Sequence, residues 1–155
     1  MSKFLEVANT FKQALEADAE KLKDLRDVAS ELRKNFAEYL GVPTGDPIMI
    51  NGSKAPHVAI GQLDDNGYFR GVPNKEFPRA SDDRIQFDIR FTYDPEPKTQ
   101  TQGAINYHLQ LERAAQGYKV WLNDFEEFAI TREDMTHLFD AMYQNALEKA
   151  GKAVH

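Results

Sequence analysis

Along residues 84–123 apolar and polar side chains alternate with the period of two that lets a strand bury one face and wet the other. Ile85, Phe87, Ile89, Phe91 and Tyr93 alternate with Arg84, Gln86, Asp88, Arg90 and Thr92. Ile105, Tyr107, Leu109 and Leu111 alternate with Asn106, His108, Gln110 and Glu112, and a third run from Tyr118 to Leu122 follows the break at 114–117. The pattern predicts an antiparallel meander with one apolar face that needs a cover. If the first hairpin pairs Phe91 with Ile105, Asp88 falls opposite His108 and Arg84 opposite Glu112. A four-residue loop at 114–117 then sets Lys119 opposite Glu112, so opposite charges face each other across both hairpins.

A different period governs the first forty residues. No Gly or Pro occurs in 3–40, and Phe4, Ala8, Phe11, Leu15, Leu22, Leu25, Ala29, Leu32, Phe36 and Tyr39 recur at alternating steps of four and three, interrupted by Asp18. That is a heptad register on a long helix, closed by Gly41, with Val42 packing back and Pro43 forbidding continuation. Such a helix is about 57 Å long, whereas a domain of this size is roughly 40 Å across. The helix is therefore expected either to kink near Asp18 or to offer its first half to another chain, against the plainer arrangement in which the whole stripe packs on the protein's own sheet.

Between these regions Gly and Pro punctuate short segments. Pro47–Ile50 reads as a strand, Asn51-Gly52 as a turn, and His57–Ile60 as its partner or the next strand. Asp64–Gly67 is a turn before Tyr68–Arg70, and 71–81 a surface loop anchored by Phe77. The connection from Asp94 to Gly103 reads as polar and mobile. Residues 125–130 suit an edge strand or a loop. A C-terminal helix over 131–150 is expected, with Thr131 as N-cap, Ile130 and Met135 as hydrophobic staple, an apolar face from Met135 to Ala150, and Gly151 as stop. The fold class is α+β: an antiparallel sheet of about four to six strands within 47–124, packed by the two helices, in a single domain spanning 1–155.

Composition narrows the function. Nineteen basic and 25 acidic residues give a net charge of −6, which argues against a sequence-independent grip on nucleic acid. The absence of cysteine excludes disulfides, thiolate catalysis and cysteine-ligated zinc. The first residues have no apolar secretion signal, and no apolar run approaches a membrane span. A soluble, cytoplasmic protein with no membrane contact is expected. Asn51-Gly52-Ser53 and Asp64–Gly67 are better explained as turns than as a glycosylation acceptor or a calcium loop.

No phosphate loop, nucleophile elbow or metal-ligand spacing occurs, and neither a metal nor a cofactor is expected. The best catalytic candidates are Asp88, Arg90, His108 and Glu112 on the wet face of the meander, where a carboxylate could orient a histidine base and an arginine hold an anion; a solvated face with cross-strand pairs is the plainer reading. Trp121 shares the phase of Lys119 and Asn123, and so belongs either to a second packed layer or to a binding anchor. With Phe4 and Phe11 of the helix stripe it makes the candidate binding set. The leading expectation is a non-catalytic protein-interaction module (an adaptor, chaperone-like factor or inhibitor) that binds a protein partner or self-associates through its first helix. The alternatives are a small enzyme or ligand-binding domain using Asp88, Arg90 and His108, and an acidic mimic of nucleic acid.

Overall fold

The computed structural model describes residues 2–42, 48–50, 53–94, 97 and 103–152. Helix α1 runs over Lys3–Leu40 without an interruption at Asp18. Its ends are well determined locally. Ser2 Oγ accepts the Leu5 N–H at 3.1 Å, supplying an acceptor for an otherwise orphan amide. At the other end Gly41 takes φ 71°; its N–H reaches the Glu38 carbonyl and that of Val42 the Ala37 carbonyl, both at 3.1 Å. This is a Schellman closure, with Val42 packed back against the core.

Among the described residues nine strands follow: β1 (Ile48–Ile50), β2 (Ser53–Ala55), β3 (Val58–Leu63), β4 (Phe69–Gly71), β5 (Arg79–Ser81), β6 (Arg84–Thr92), β7 (Ala104–Arg113), β8 (Tyr118–Leu122) and β9 (Glu126–Ile130). β1 and β2 pair with each other in a separate two-stranded sheet, so the partner of Ile48–Ile50 is Ser53–Ala55, and of the two readings open for 57–60 the segment is a further strand, β3. The others form an antiparallel sheet of seven strands in the order β4-β3-β6-β7-β8-β9, with β5 also on β6. The sheet thus extends past residue 124, and 126–130 is its edge strand. The 71–81 loop contains β5 and a single 3-10 turn, Asn74–Glu76, and Phe77 is fully buried beneath it. The expected turn at Asn51-Gly52 and most of the 94–103 connection lie outside the described residues.

The meander registers are Phe91 opposite Ile105, Asp88 opposite His108, Arg84 opposite Glu112, and Glu112 opposite Lys119. Ile85, Phe87, Ile89, Tyr107, Leu109, Leu111, Val120 and Leu122 point to one side and are buried. Each such aliphatic or aromatic side chain contributes about 1.5–3 kcal/mol relative to exposure. Leu25, Val28, Ala29, Leu32 and Phe36 of α1, with Leu138, Phe139 and Met142 of the second helix, roof them over. Phe36 sits edge-on to Tyr107, with 5.8 Å between ring centroids. Tyr107 donates its hydroxyl to the Met142 carbonyl at 2.6 Å, and burial pushes its phenol well above the usual range.

Helix α2 spans Thr136–Lys152, which corrects the expected 131–150 at both ends. Thr131 closes a separate turn instead: its Oγ1 accepts the Asp134 N–H at 3.0 Å, and Asp134 Oδ1 then serves the first helical amide, Thr136, at 3.1 Å. Gly151 keeps an ordinary helical backbone and does not end the helix. Arg132, in that turn, reaches Asp24 and Glu31 of α1 at 2.6 and 2.7 Å. Tyr118 adds a hydroxyl bond to Asp24 at 2.8 Å. Burial pushes the Asp24 carboxyl up, but the Tyr118 and Arg132 contacts outweigh it and leave the group below the usual range. No described helix is long and apolar enough to cross a membrane.

Candidate functional site

Two features stand out against this frame, one on the polar face of the sheet and one on α1. On the sheet, β3 is paired with β6 only as far as Gly61 opposite Asp88. Beyond that point the strands part. The Leu63 N–H donates to Asp88 Oδ2 at 3.1 Å, while the Gln86 N–H turns to the Pro78 carbonyl at 3.0 Å, on the approach to β5. The side of β6 is thus shared by two short strands with a notch between them, about 290 Å³ in volume and lined by Gln62, Leu63, Pro78, Gln86, Phe87, Asp88 and His108.

Asp88 is the buried carboxylate of this notch. Its Oδ1 lies 3.0 Å from His108 Nδ1. The other ring nitrogen, Nε2, faces Asp124 Oδ1 at 3.7 Å. Asp124 and Asn123 form a tight turn with φ values of 66° and 53°, and Asn123 Oδ1 accepts the His108 N–H at 3.0 Å. The hydrogen bond with Asp88 raises the His108 pKa; burial opposes the rise and Asp124 adds to it. Carboxylates at both nitrogens favour an imidazolium. They engage opposite ends of the ring, so the three groups do not converge on one point as metal ligands must. The notch lining presents no hydroxyl, thiol or amine side chain to serve as nucleophile.

Arg90 is adjacent along β6 but stands apart from this pair. It is only 5% exposed, and its guanidinium carbon lies 4.5 Å from the centre of the Phe69 ring. The approach of β4 makes this possible: Gly61 faces Gly71, and a Cβ at 61 would fall 1.9 Å from the Arg70 carbonyl oxygen. Only glycine lets β4 curl this close over the polar face. Nε and Nη1 of Arg90 have no acceptor among the described residues, and burial lowers its pKa.

Glu112 lies at the far end of the same face, 3.4 Å from Arg84 Nε, and Arg84 in turn lies over the Trp121 ring at 3.6 Å. Trp121 is therefore half-covered by a cation on the open side. Gln110 links the two ends, accepting from Arg84 and donating to Asp124, each at 3.4 Å. The structure brings Asp88 and His108 together, keeps Arg90 beneath Phe69, and separates Glu112 from both. Sequence reasoning missed Asp124, whose position depends on the positive-φ turn, and Gln62, whose buried Nε2 finds no acceptor among the described residues.

The second feature is the outer half of α1. From Ser2 to Glu20 every residue is exposed except Ala8 and Asp18, which are half-buried. Asp18 is held by Arg79 of β5 and marks where the helix meets the sheet. Outside that point Phe4 (77% exposed), Val7 (68%) and Phe11 (63%), together with Leu5 and Leu15, form an uncovered apolar stripe. Comparison with family models, curated proteins and solved structures found no match to this chain.

Proposed function

We propose that this chain is a non-catalytic protein-interaction module whose docking surface is the outer half of α1, acting in the cytoplasm as an adaptor, chaperone-like factor or inhibitor. One observation carries the reading: five large apolar side chains, Phe4, Leu5, Val7, Phe11 and Leu15, stand in water on a helix that has left its own sheet behind. Contiguous apolar surface of this kind marks an interaction site, and an amphipathic helix presents it as anchors spaced by three and four residues. The lack of cysteine suits a reducing compartment. Capture of protein partners by the full chain and by a Phe11→Glu/Leu15→Glu variant tests it. Binding that depends on the stripe is expected; equal recovery by both, or none by either together with a strictly monomeric chain, would count decisively against it.

The notch at Asp88 and His108 supports a second reading, as a small-ligand or catalytic site. A buried carboxylate–histidine pair beside the Gln62 amide nitrogen, which has no acceptor among the described residues, is the observation in its favour. An NMR screen of small carboxylates and amides, read on the His108 ring resonances, checks it. Shifts lost in His108→Ala with unchanged melting temperature would support it, and a fall in stability without any ligand response would leave the pair a structural one.

A further inference from the structure

We infer that the occupant of the α1 stripe is a second copy of this chain, with the two outer helical halves lying antiparallel. This rests on the protein-contact reading above and names the partner. The stripe is one continuous seam: outside Asp18 it carries Phe4, Phe11 and Leu15 in water with Ala8 half-buried between them, and inside it carries Leu25, Ala29, Leu32 and Phe36 against the sheet. A heptad seam drifts only about 20° per repeat on a straight helix. A docked helix therefore lies on the side where the chain's own sheet begins, and must end where Asp18 meets Arg79.

That condition selects the orientation. A parallel partner would continue along the seam past Leu22 into volume already filled by the sheet, and the two bodies would collide. An antiparallel partner brings its own body to the opposite end, beyond Ser2, and overlaps only through residues 3–17. In that overlap the stripe is complementary to itself. Phe4 of one copy faces Leu15 of the other, and Ala8 faces Phe11, so each layer sets a larger side chain against a smaller one. Val7 meets Ala14 on one flank, and Leu5 meets the aliphatic stem of Lys12 on the other. Opposed helix dipoles favour the same arrangement.

The area suffices for a reversible dimer. The exposed parts of the five large side chains come to on the order of 500 Å² per copy, so the pair buries about 1,000 Å². That is the lower bound for a specific interface, which implies exchange between monomer and dimer in the micromolar range.

Sedimentation equilibrium on the full chain, from low to several hundred micromolar, tests this directly. The mean mass should climb toward twice the monomer mass, and Phe11→Glu should weaken association at least about a hundredfold. Phe11 is exposed in the monomer, so the variant should melt as the parent does. Orientation is read by cysteine cross-linking, since the chain has no cysteine of its own. Phe4→Cys mixed with Leu15→Cys should give the mixed disulfide, with neither variant bridging to itself. Self-bridging at both positions would overturn the antiparallel arrangement. A chain monomeric at every concentration would overturn the second copy altogether, as would a monomer that binds neutral phosphatidylcholine vesicles through the stripe. If that monomer still captures another protein in a stripe-dependent way, the contact reading survives alone; if it does not, both fall.

Discussion

His108 lies between two carboxylates, and this makes its contribution to stability depend on pH. Its pKa in the folded chain is raised above the ordinary value, chiefly by the Asp88 bond. The stabilisation is therefore fully present below about pH 6.5, the unfolded value, and is lost as pH rises through the raised one. Thermal melts across that window should fall with pH in the parent and flatten in His108→Gln; a parallel decline in both would show that another group titrates. Arg90 presents the opposite situation, a desolvated cation with two nitrogens unsatisfied among the described residues. Replacing such a charge by an apolar chain of similar length is often neutral or stabilising. Arg90→Met should leave the melting temperature unchanged or raise it, and a drop of several degrees would mean that the charge is compensated. At position 61 there is no such latitude. A methyl group there meets the Arg70 backbone, so Gly61→Ala should cost at least about 2 kcal/mol in chemical denaturation and uncover Arg90 by displacing Phe69.

Among the elements, the strands of the meander were legible because one face is buried throughout, and a slip of one residue would turn every side chain outward. Opposite charges at Asp88/His108 and Arg84/Glu112 pointed to the same register. Phe87→Ala, at the centre of that face, should lose about 3–5 kcal/mol; a loss below 1 kcal/mol would mean that the core is not centred there. The three-residue strands β2, β4 and β5 were hidden, since each is too short to show a period and none has the wholly apolar run Ile48-Met49-Ile50 that marks β1. The start of α2 was misplaced for a physical reason: Thr131 and Asp134 satisfy each other in a turn of their own, and that turn has the same sequence signature as a cap. The candidate site divides along the same line. The Asp88–His108 pair follows from strand register, whereas Asp124 depends on a positive-φ turn and the covering of Arg90 on a close approach between Gly61 and Gly71. Neither leaves a periodic trace.

For the whole molecule, the mismatch between helix length and body size was readable from residue counts alone, and the structure locates the surplus in residues 3–17. That segment has few neighbours to protect its amides. At low concentration its hydrogen exchange should be orders of magnitude faster than that of 22–40, and it should slow as concentration rises if copies associate. Uniform protection along α1 at all concentrations would contradict the exposure seen here.

Because the outer half of α1 is a direct extension of turns locked beneath the sheet, with no hinge residue between them, its tip has no independent orientation. A fluorophore attached at Gln13→Cys, on the side away from the apolar stripe, would report the rotation of the entire particle, its polarisation decaying with one slow component and little rapid wobble beyond that of the dye itself.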